Sequence, residues 1–309
     1  MADFTVSGIG QIEGSGDRKA LFLKVASGEV LTAFERKNIF MPLHFVQTIA
    51  SGKSVQFPVI GKAAAPTTHT PGDEILGGSI VSNERTIAIN DLKVASVAID
   101  RFEEAMSHYE VRSKYTMELG RALAVAVDKD IASQLATAAL TAGVSDQPDG
   151  EVYVNTAIAS ATTAEARGNA LVEALFKAAA KLDEKDVPGE RYFVTTPANY
   201  YAIVQSTRIV DKMFTGGNGG LDTGTVMQIA GIKIYSSNNL PTAIASGIEG
   251  FEGVVFTDAA VGTVKLLDIK LEAEYSVRHQ ATLMVASYAM GHGILNPGCV
   301  VAVASATQV

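Results

Sequence analysis

The sequence predicts an α+β protein, and three patterns carry that reading. A run of helix formers extends from Asp100 to Leu140, apolar and charged residues alternate strictly from Leu267 to Tyr275, and between them helical and strand-like pieces follow one another. The chain has 309 residues, 47% of them hydrophobic and 19% charged, which is ample for a packed core and too apolar for disorder. One large domain or two ordinary ones are expected.

Met1 to Asp17 is rich in glycine and serine with weak periodicity, as in a terminal arm. From Arg18 to Arg36, Leu21, Val25, Val30 and Phe34 recur near helical spacing, which predicts a short amphipathic helix broken at Gly28. Ser54–Ile60 and Arg85–Asn90 read as strands because β-branched and aromatic residues suit a pleated surface. The segment joining them contains Pro66, Pro71, Gly72, Gly77 and Gly78, so it holds neither a helix nor a core strand. A loop this long inside a folded domain marks function or contact with another body, and a long hairpin is the natural form.

Another strand is expected at Leu92–Ile99, after which Asp100 is placed to cap the first helical turn. Val111, Tyr115, Leu119, Leu123, Val127, Ile131 and Leu135 repeat every fourth residue, so their stripe winds around the helix. Glu110 with Lys114 and Glu118 with Arg121 mark a wet face, whereas Ala122–Val127 is apolar all round and is expected to be buried. Gly143–Gly150 reads as a loop between domains. Asn169–Lys185 is an amphipathic helix, Arg191–Thr195 a strand, and Thr196 with Pro197 starts a short helix through Tyr200, Tyr201 and Val204. Gly231–Tyr235 is strand-like. In Leu267–Tyr275 the alternation predicts a strand wet on one face, and Gln280–Met290 reads as a central strand.

Charge and composition exclude several functions. Against 33 acidic residues stand 25 lysines and arginines, a net charge of -8 and the wrong sign for gripping phosphates. Cys299 is the only cysteine, which rules out an intrachain disulfide and any multi-cysteine metal site, and its apolar surroundings suit a buried structural thiol. The run Lys19–Phe34 starts late for a signal peptide, and no segment has the apolar length of a membrane span. A soluble, cytoplasmic product is expected where the chain is made.

Catalytic motifs fail one by one. Ser51–Ser54 (SGKS) lacks the first glycine of a phosphate loop, because Gln47 stands in its place, and reads better as a turn before a strand. Gly8 and Gly10 begin a glycine fingerprint that Glu13 ends. His44, His69, His108, His279 and His292 lack metal-site spacing. The carboxylates at Glu103 and Glu104, at Asp128 and Asp130, and at Asp183, Glu184 and Asp186 read as solvated helix surface, and Tyr200 with Tyr201 as packing. No catalytic, metal or cofactor residue is assigned, and no cofactor is expected.

Several segments together resemble the major capsid proteins of T7-like short-tailed bacteriophages. They are ALFLKV at Ala20–Val25, GEVLTAFER at Gly28–Arg36, SGKSVQFPVIGK at Ser51–Lys62, HYEVRSKYT at His108–Thr116, VGTVKLLDIKLE at Val261–Glu272 and YAMGHG at Tyr288–Gly293. YFVTTP at Tyr192–Pro197 and AGIKIYSSNNLP at Ala230–Pro241 are similar to the broader tailed-phage pattern.

The resemblance implies the HK97-like capsid fold, with an N-terminal arm at 1–50, an extended E-loop hairpin at 51–91, a peripheral domain at 92–140 and 263–290 built on a long spine helix and long sheet, and an axial domain at 141–262. Residues 291–309 are assigned to neither domain. It further implies hexamers and pentamers that close into an icosahedral virion shell around double-stranded DNA, bound without sequence specificity, with a portal protein at one vertex and no membrane. The subunit-contact residues it implies at the E-loop tip are Lys62, Pro66, His69, Pro71, Gly72, Asp73, Glu74, Gly77 and Gly78. Tyr109 joins the stripe of the spine helix. Because no long charged helical extension precedes the arm, scaffolding by a separate protein is expected. Two other readings compete: an encapsulin-type compartment of the same fold holding cargo enzymes, and an intracellular enzyme with an unmarked site, which should stay a small oligomer.

Overall fold

Pro42 opens a single 3-10 turn at Met41–Leu43, and the chain then enters strand β1 (Phe45–Thr48). The computed structural model describes residues 38–61, 63, 65, 68–69, 72, 74, 77, 79–89, 91–106, 112–207, 219–220, 225–226, 228–244 and 248–306. The helix expected within Arg18–Arg36 lies outside them.

β2 (Ser54–Ile60) has the expected bounds, and the turn at Ser51–Lys53 before it carries Gly52 at φ +119, where a side chain would be strained. β3 (Ser82–Ala88) begins three residues earlier than Arg85, and pairs antiparallel with β2 from Ser54 opposite Ala88 to Ile60 opposite Ser82. Polar Ser82, Asn83 and Glu84 are strand residues because partner geometry overrides weak propensity. Pro58 is tolerated in a two-stranded ribbon, where each strand is an edge.

β4 (Lys93–Asp100) leads into α1 (Arg101–Met106), and Asp100 Oδ1 accepts the Phe102 backbone N–H at 2.7 Å, the expected cap. α2 (Arg112–Ala138) is the long helix, ending in a turn at 139–140. β5 (Glu151–Val154) precedes α3 (Thr156–Ser160), capped by Asn155. α4 (Ala164–Glu184) starts five residues before Asn169 because Thr163 caps it by accepting from Ala166 N–H. At Gly168 α4 and α5 approach closely, and a Cβ on it would lie 2.0 Å from the Ala202 carbonyl oxygen. β6 (Arg191–Thr195) and α5 (Pro197–Val204) match expectation, with Thr196 as cap.

The short strands β7 (Gly219–Gly220), β8 (Thr225–Val226) and β9 (Gln228–Ile229) precede β10 (Ile232–Ser236). β11 (Ala243–Ile244), β12 (Ile248–Glu249) and β13 (Phe251–Thr257) follow. β14 (Val261–Ser276) and β15 (Ala281–Ile294) are long, and β16 (Val300–Ala304) ends the described fold after a turn in which Asn296 accepts from Gly298 N–H.

The chain divides into two units. One holds Asn90–Val127 and Lys265–Met290, and here β4 lies antiparallel to β15 from Asp100 opposite Ala281 to Lys93 opposite Tyr288. Its buried residues include Leu123, Val127, Met284, Ala286 and Tyr288. β15 is interior, with β14 on one side and β4 on the other, as its apolar faces predict. The stripe in β14 departs from expectation, since Leu267 is 56% exposed and Tyr275 40% exposed. Alternation sets which face is apolar, but burial needs a covering element, and none of the described residues covers these positions.

The second unit holds Ile39–Ile89, Asp128–Val264 and Gly291–Val309. Its six-stranded sheet runs β5-β16-β13-β6-β10-β9, parallel at β10–β6 and β16–β5 and antiparallel elsewhere. β13 and β16 are buried along their whole length, which suits the apolar run of β16, whereas β13 takes Glu252 and Thr257 into the interior with it. Leu171, Leu175, Ala178 and Leu182 recur at helical spacing on α4 and are fully buried.

Candidate assembly surface

The residues expected at the hairpin tip fall partly outside the described structure: Lys62, Pro66, Pro71, Asp73 and Gly78 do, whereas His69, Gly72, Glu74 and Gly77 are described and all exposed. Of the spine stripe, Tyr109 and Val111 lie outside, and so does the Glu110–Lys114 pair. Tyr115 is half-buried, and Leu119, Leu123, Val127, Ile131 and Leu135 are buried, as a winding stripe requires. Ala122–Val127 is less enclosed than expected. Within it Leu123 and Val127 are buried but Ala122 is exposed, because α2 has solvent on one side there, where Arg121 and Glu118 form their ion pair.

The hairpin root is built for close approach. Gly61 donates its N–H to Val81 O at 2.8 Å, and a Cβ on it would meet Val81 O at 2.7 Å and Asp146 Oδ2 at 3.1 Å. On the other flank, Gly291 and Gly293 of the YAMGHG segment lie under β3, where a Cβ would come within 2.4 Å of Ala88 O or 2.8 Å of Ile87 Cγ1. Ile87 is 1% exposed while Ile60, one step beyond buried Val59, is 73% exposed. Ile80 and Val81 are 49% and 62% exposed. The ribbon therefore has one seated face and an open apolar patch where it leaves the unit.

Three buried polar clusters brace this unit. Asp128 is 1% exposed, a correction to its reading as solvated surface. Its carboxylate accepts from Ile39 N–H at 3.2 Å, Phe40 N–H at 3.4 Å and Asn239 Nδ2 at 3.3 Å, so it ties helix, chain entry and a distant loop. Burial pushes its carboxyl above the usual range, against those three donors. Sequence spacing holds no sign of this, since the donors come from residues far along the chain.

In the second cluster Thr263 Oγ1 stands between His44 Nε2 at 2.6 Å and His292 Nδ1 at 2.8 Å, and His44 Nδ1 lies 2.7 Å from Phe40 O. A carbonyl only accepts, so His44 Nδ1 carries a proton; with neutral rings Thr263 donates to His44 and accepts from His292. In the third, Arg167 donates to Asn199 Oδ1 at 2.8 Å and Glu252 Oε2 at 2.7 Å, while Asn199 Nδ2 reaches the same Glu252 oxygen at 2.7 Å. Thr195 Oγ1 donates to Glu252 O at 2.6 Å, so α4, α5, β6 and β13 share one network.

None of these clusters is arranged as a catalytic centre. No group of three or more potential metal ligands occurs among the described residues. Cys299 is 3% exposed and burial pushes its thiol up, which makes it a poor nucleophile. Tyr200 and Tyr201 meet edge-on at 5.6 Å, with Tyr201 59% exposed. No described helix is long and apolar enough to cross a membrane. What the unit offers is a braced platform for the ribbon and its open patch.

Comparison with known proteins agrees on one class. The Gp10A-like family, described as major capsid protein, matches residues 56–304. The major capsid proteins of Enterobacteria phage T3 and Escherichia phage T7 are each 33% identical, covering 93% of this chain and 92% of their own. The capsid structure of cyanophage P-SCSP1u superposes with a TM-score of 0.80 at 38% identity, over 99% of this chain and 100% of that one.

Proposed function

The chain belongs to the Gp10A-like major capsid protein family, and from that premise we propose how its parts build a shell. It is a structural capsid protein of the HK97-like fold, its place is the virion capsid, and copies of it assemble into oligomeric shells. In the proposed assembly, hexamers and pentamers close an icosahedral shell around double-stranded DNA, with scaffolding supplied in trans, a portal protein at one vertex and assembly in the host cytoplasm. Residues 1–50 act as arm, 51–91 as E-loop, 92–140 and 263–290 as peripheral domain, and 141–262 as axial domain. The hairpin-tip residues contact a neighbouring subunit, and the spine residues hold the peripheral domain to its helix. No catalytic role is assigned.

The observation that supports this reading best is the open apolar surface on a folded chain. Ile60, Val81, Leu267 and Val277, 56% to 73% exposed, are what a subunit leaves bare when its partners are further copies. Repetition of modest contacts over a closed lattice gives stability that no single contact supplies. The excess of acidic residues suits a container that releases its contents, so purified shells should retard DNA little even at low salt.

Negative-stain electron microscopy of the full chain, expressed with and without a scaffolding partner and pelleted through a density cushion, tests the assembly. Closed polyhedral shells that depend on the partner are expected. Small uniform oligomers under both conditions would overturn it.

A further inference from the structure

We propose that a groove at the root of the β2–β3 ribbon receives the hairpin apex of a second copy of this chain, with Glu74 of that copy meeting Arg85. This rests on the reading of the hairpin as a contact to a neighbouring subunit and adds the receiving site.

The groove, about 450 Å³, belongs to one unit. Its apolar wall includes Phe45, 47% exposed, which meets Phe57 edge-on at 6.0 Å, and Ile60, 73% exposed. Arg85, Gln147, Asp258 and Asn296 are its polar lining, and Arg85 and Gln147 carry buried atoms that lack a partner among the described residues. Arg85 donates one terminal nitrogen to Ala142 O at 3.1 Å, but its Nε is buried and has no acceptor among the described residues. Gln147 reaches Leu295 O with Nε2 at 3.4 Å, whereas its Oε1 is buried with no donor among the described residues. An orphaned cationic donor and an orphaned acceptor beside an aromatic wall fit an extended peptide that brings an acceptor, an N–H and an aliphatic side chain.

The chain itself carries such a peptide. Asp73, Glu74, Ile75 and Leu76 place two carboxylates before two aliphatic residues, matching Arg85 followed by the apolar wall, and Glu74 is exposed. The residues from Ile60 to Glu74 span at most about 50 Å when extended, enough to cross from one subunit to the next. A lattice of identical copies supplies this peptide at the concentration of the groove itself.

Charge reversal in the full chain tests the pairing. Arg85→Glu alone and Glu74→Lys alone should each lower the yield of pelletable shells at least tenfold, with an unchanged circular dichroism spectrum. The double variant should return to within twofold of the original. A double variant as defective as either single one, or normal assembly by Arg85→Glu, would overturn the pairing. In assembled shells of the Arg85→Cys, Glu74→Cys variant, mild oxidation should give a ladder of covalent multimers on a denaturing gel. A crosslinked monomer would instead place the apex on its own root and overturn the second copy as occupant. Failure of the hairpin reading itself is read separately, from shells that form normally without Ala63–Gly78.

Discussion

The side-chain amide of Asn239 donates to the carboxylate of Asp128 at 3.3 Å across 111 positions of sequence, and the same carboxylate takes the backbone N–H groups of Ile39 and Phe40. Replacing Asp128 with alanine leaves all three donors buried without it and should cost roughly 2–4 kcal/mol, measured by urea unfolding. Asp128→Asn should cost less. Asparagine keeps one acceptor oxygen, and Asn239, whose Oδ1 is buried with no other partner among the described residues, can turn to accept from it. The pH dependence has a definite sign. Burial raises the Asp128 pKa in the folded state, so its contribution is full below the ordinary carboxylate pKa and is lost as pH rises through the raised value. The asparagine variant has no such loss, so its deficit should shrink from pH 4 towards pH 7. A deficit that grows over that window would contradict the assignment.

The Thr263 hydroxyl donates to His44 and accepts from His292, so Thr263→Val should destabilise by about 1–3 kcal/mol while Thr263→Ser stays near the original. In the original protein, nitrogen-15 spectra should report His44 with the proton on Nδ1 near neutral pH. A proton on Nε2 there would overturn the direction of the chain.

Glycine at 291 is a packing requirement: Gly291→Ala pushes a methyl against Ala88 O and should cost about 1–3 kcal/mol. Gly77, with no described atom within 4 Å of its Cβ position, serves as the control, and Gly77→Ala should leave the thermal midpoint unchanged within a degree or two. Equal effects at the two positions would refute the close approach.

Arg167 is the cation for Glu252, whose side chain is 10% exposed against 36% for the arginine. Arg167→Met should destabilise by roughly 1–3 kcal/mol, less than for a fully buried pair because water already screens the guanidinium. Adding Glu252→Gln should recover part of that loss in a double-mutant cycle, since no unpaired charge then stays inside.

Removing Ala63–Gly78 should leave a folded chain, because the β2–β3 ladder and its seat on Gly291 and Gly293 lie outside the deletion. Closed shells should be lost. Sedimentation together with circular dichroism distinguishes this from misfolding.

Sequence patterning was a good guide wherever the determinant was local. Thr196 with Pro197, Asp100 before α1, the bounds of β2 and β6 and the buried stripe from Leu119 to Leu135 all follow from caps, φ restriction and periodicity. The ordered segments around Ser51–Lys62 and Tyr288–Gly293 pointed to the capsid family, and the family match covers most of the chain. Asp128 is the residue whose local reading fails, since it is buried and not on a solvated surface. An aspartate two residues from another on a helix carries its ordinary meaning, solvated surface, until distant segments bring Ile39, Phe40 and Asn239 against it.

The type and apolar face of the elements read from it were thus determined by the sequence alone, because they depend on neighbours within a few residues, whereas β5 and β13, which were not read there, are strands of the six-stranded sheet. Which faces are covered was decided only by tertiary structure. The alternation of β14 does not reveal that Leu267 and Tyr275 stay open, nor does any spacing place Asn239 on Asp128 or Thr263 between two histidines. Those relations arise when distant stretches of chain share one interior, where a polar atom must find its partner or remain unsatisfied.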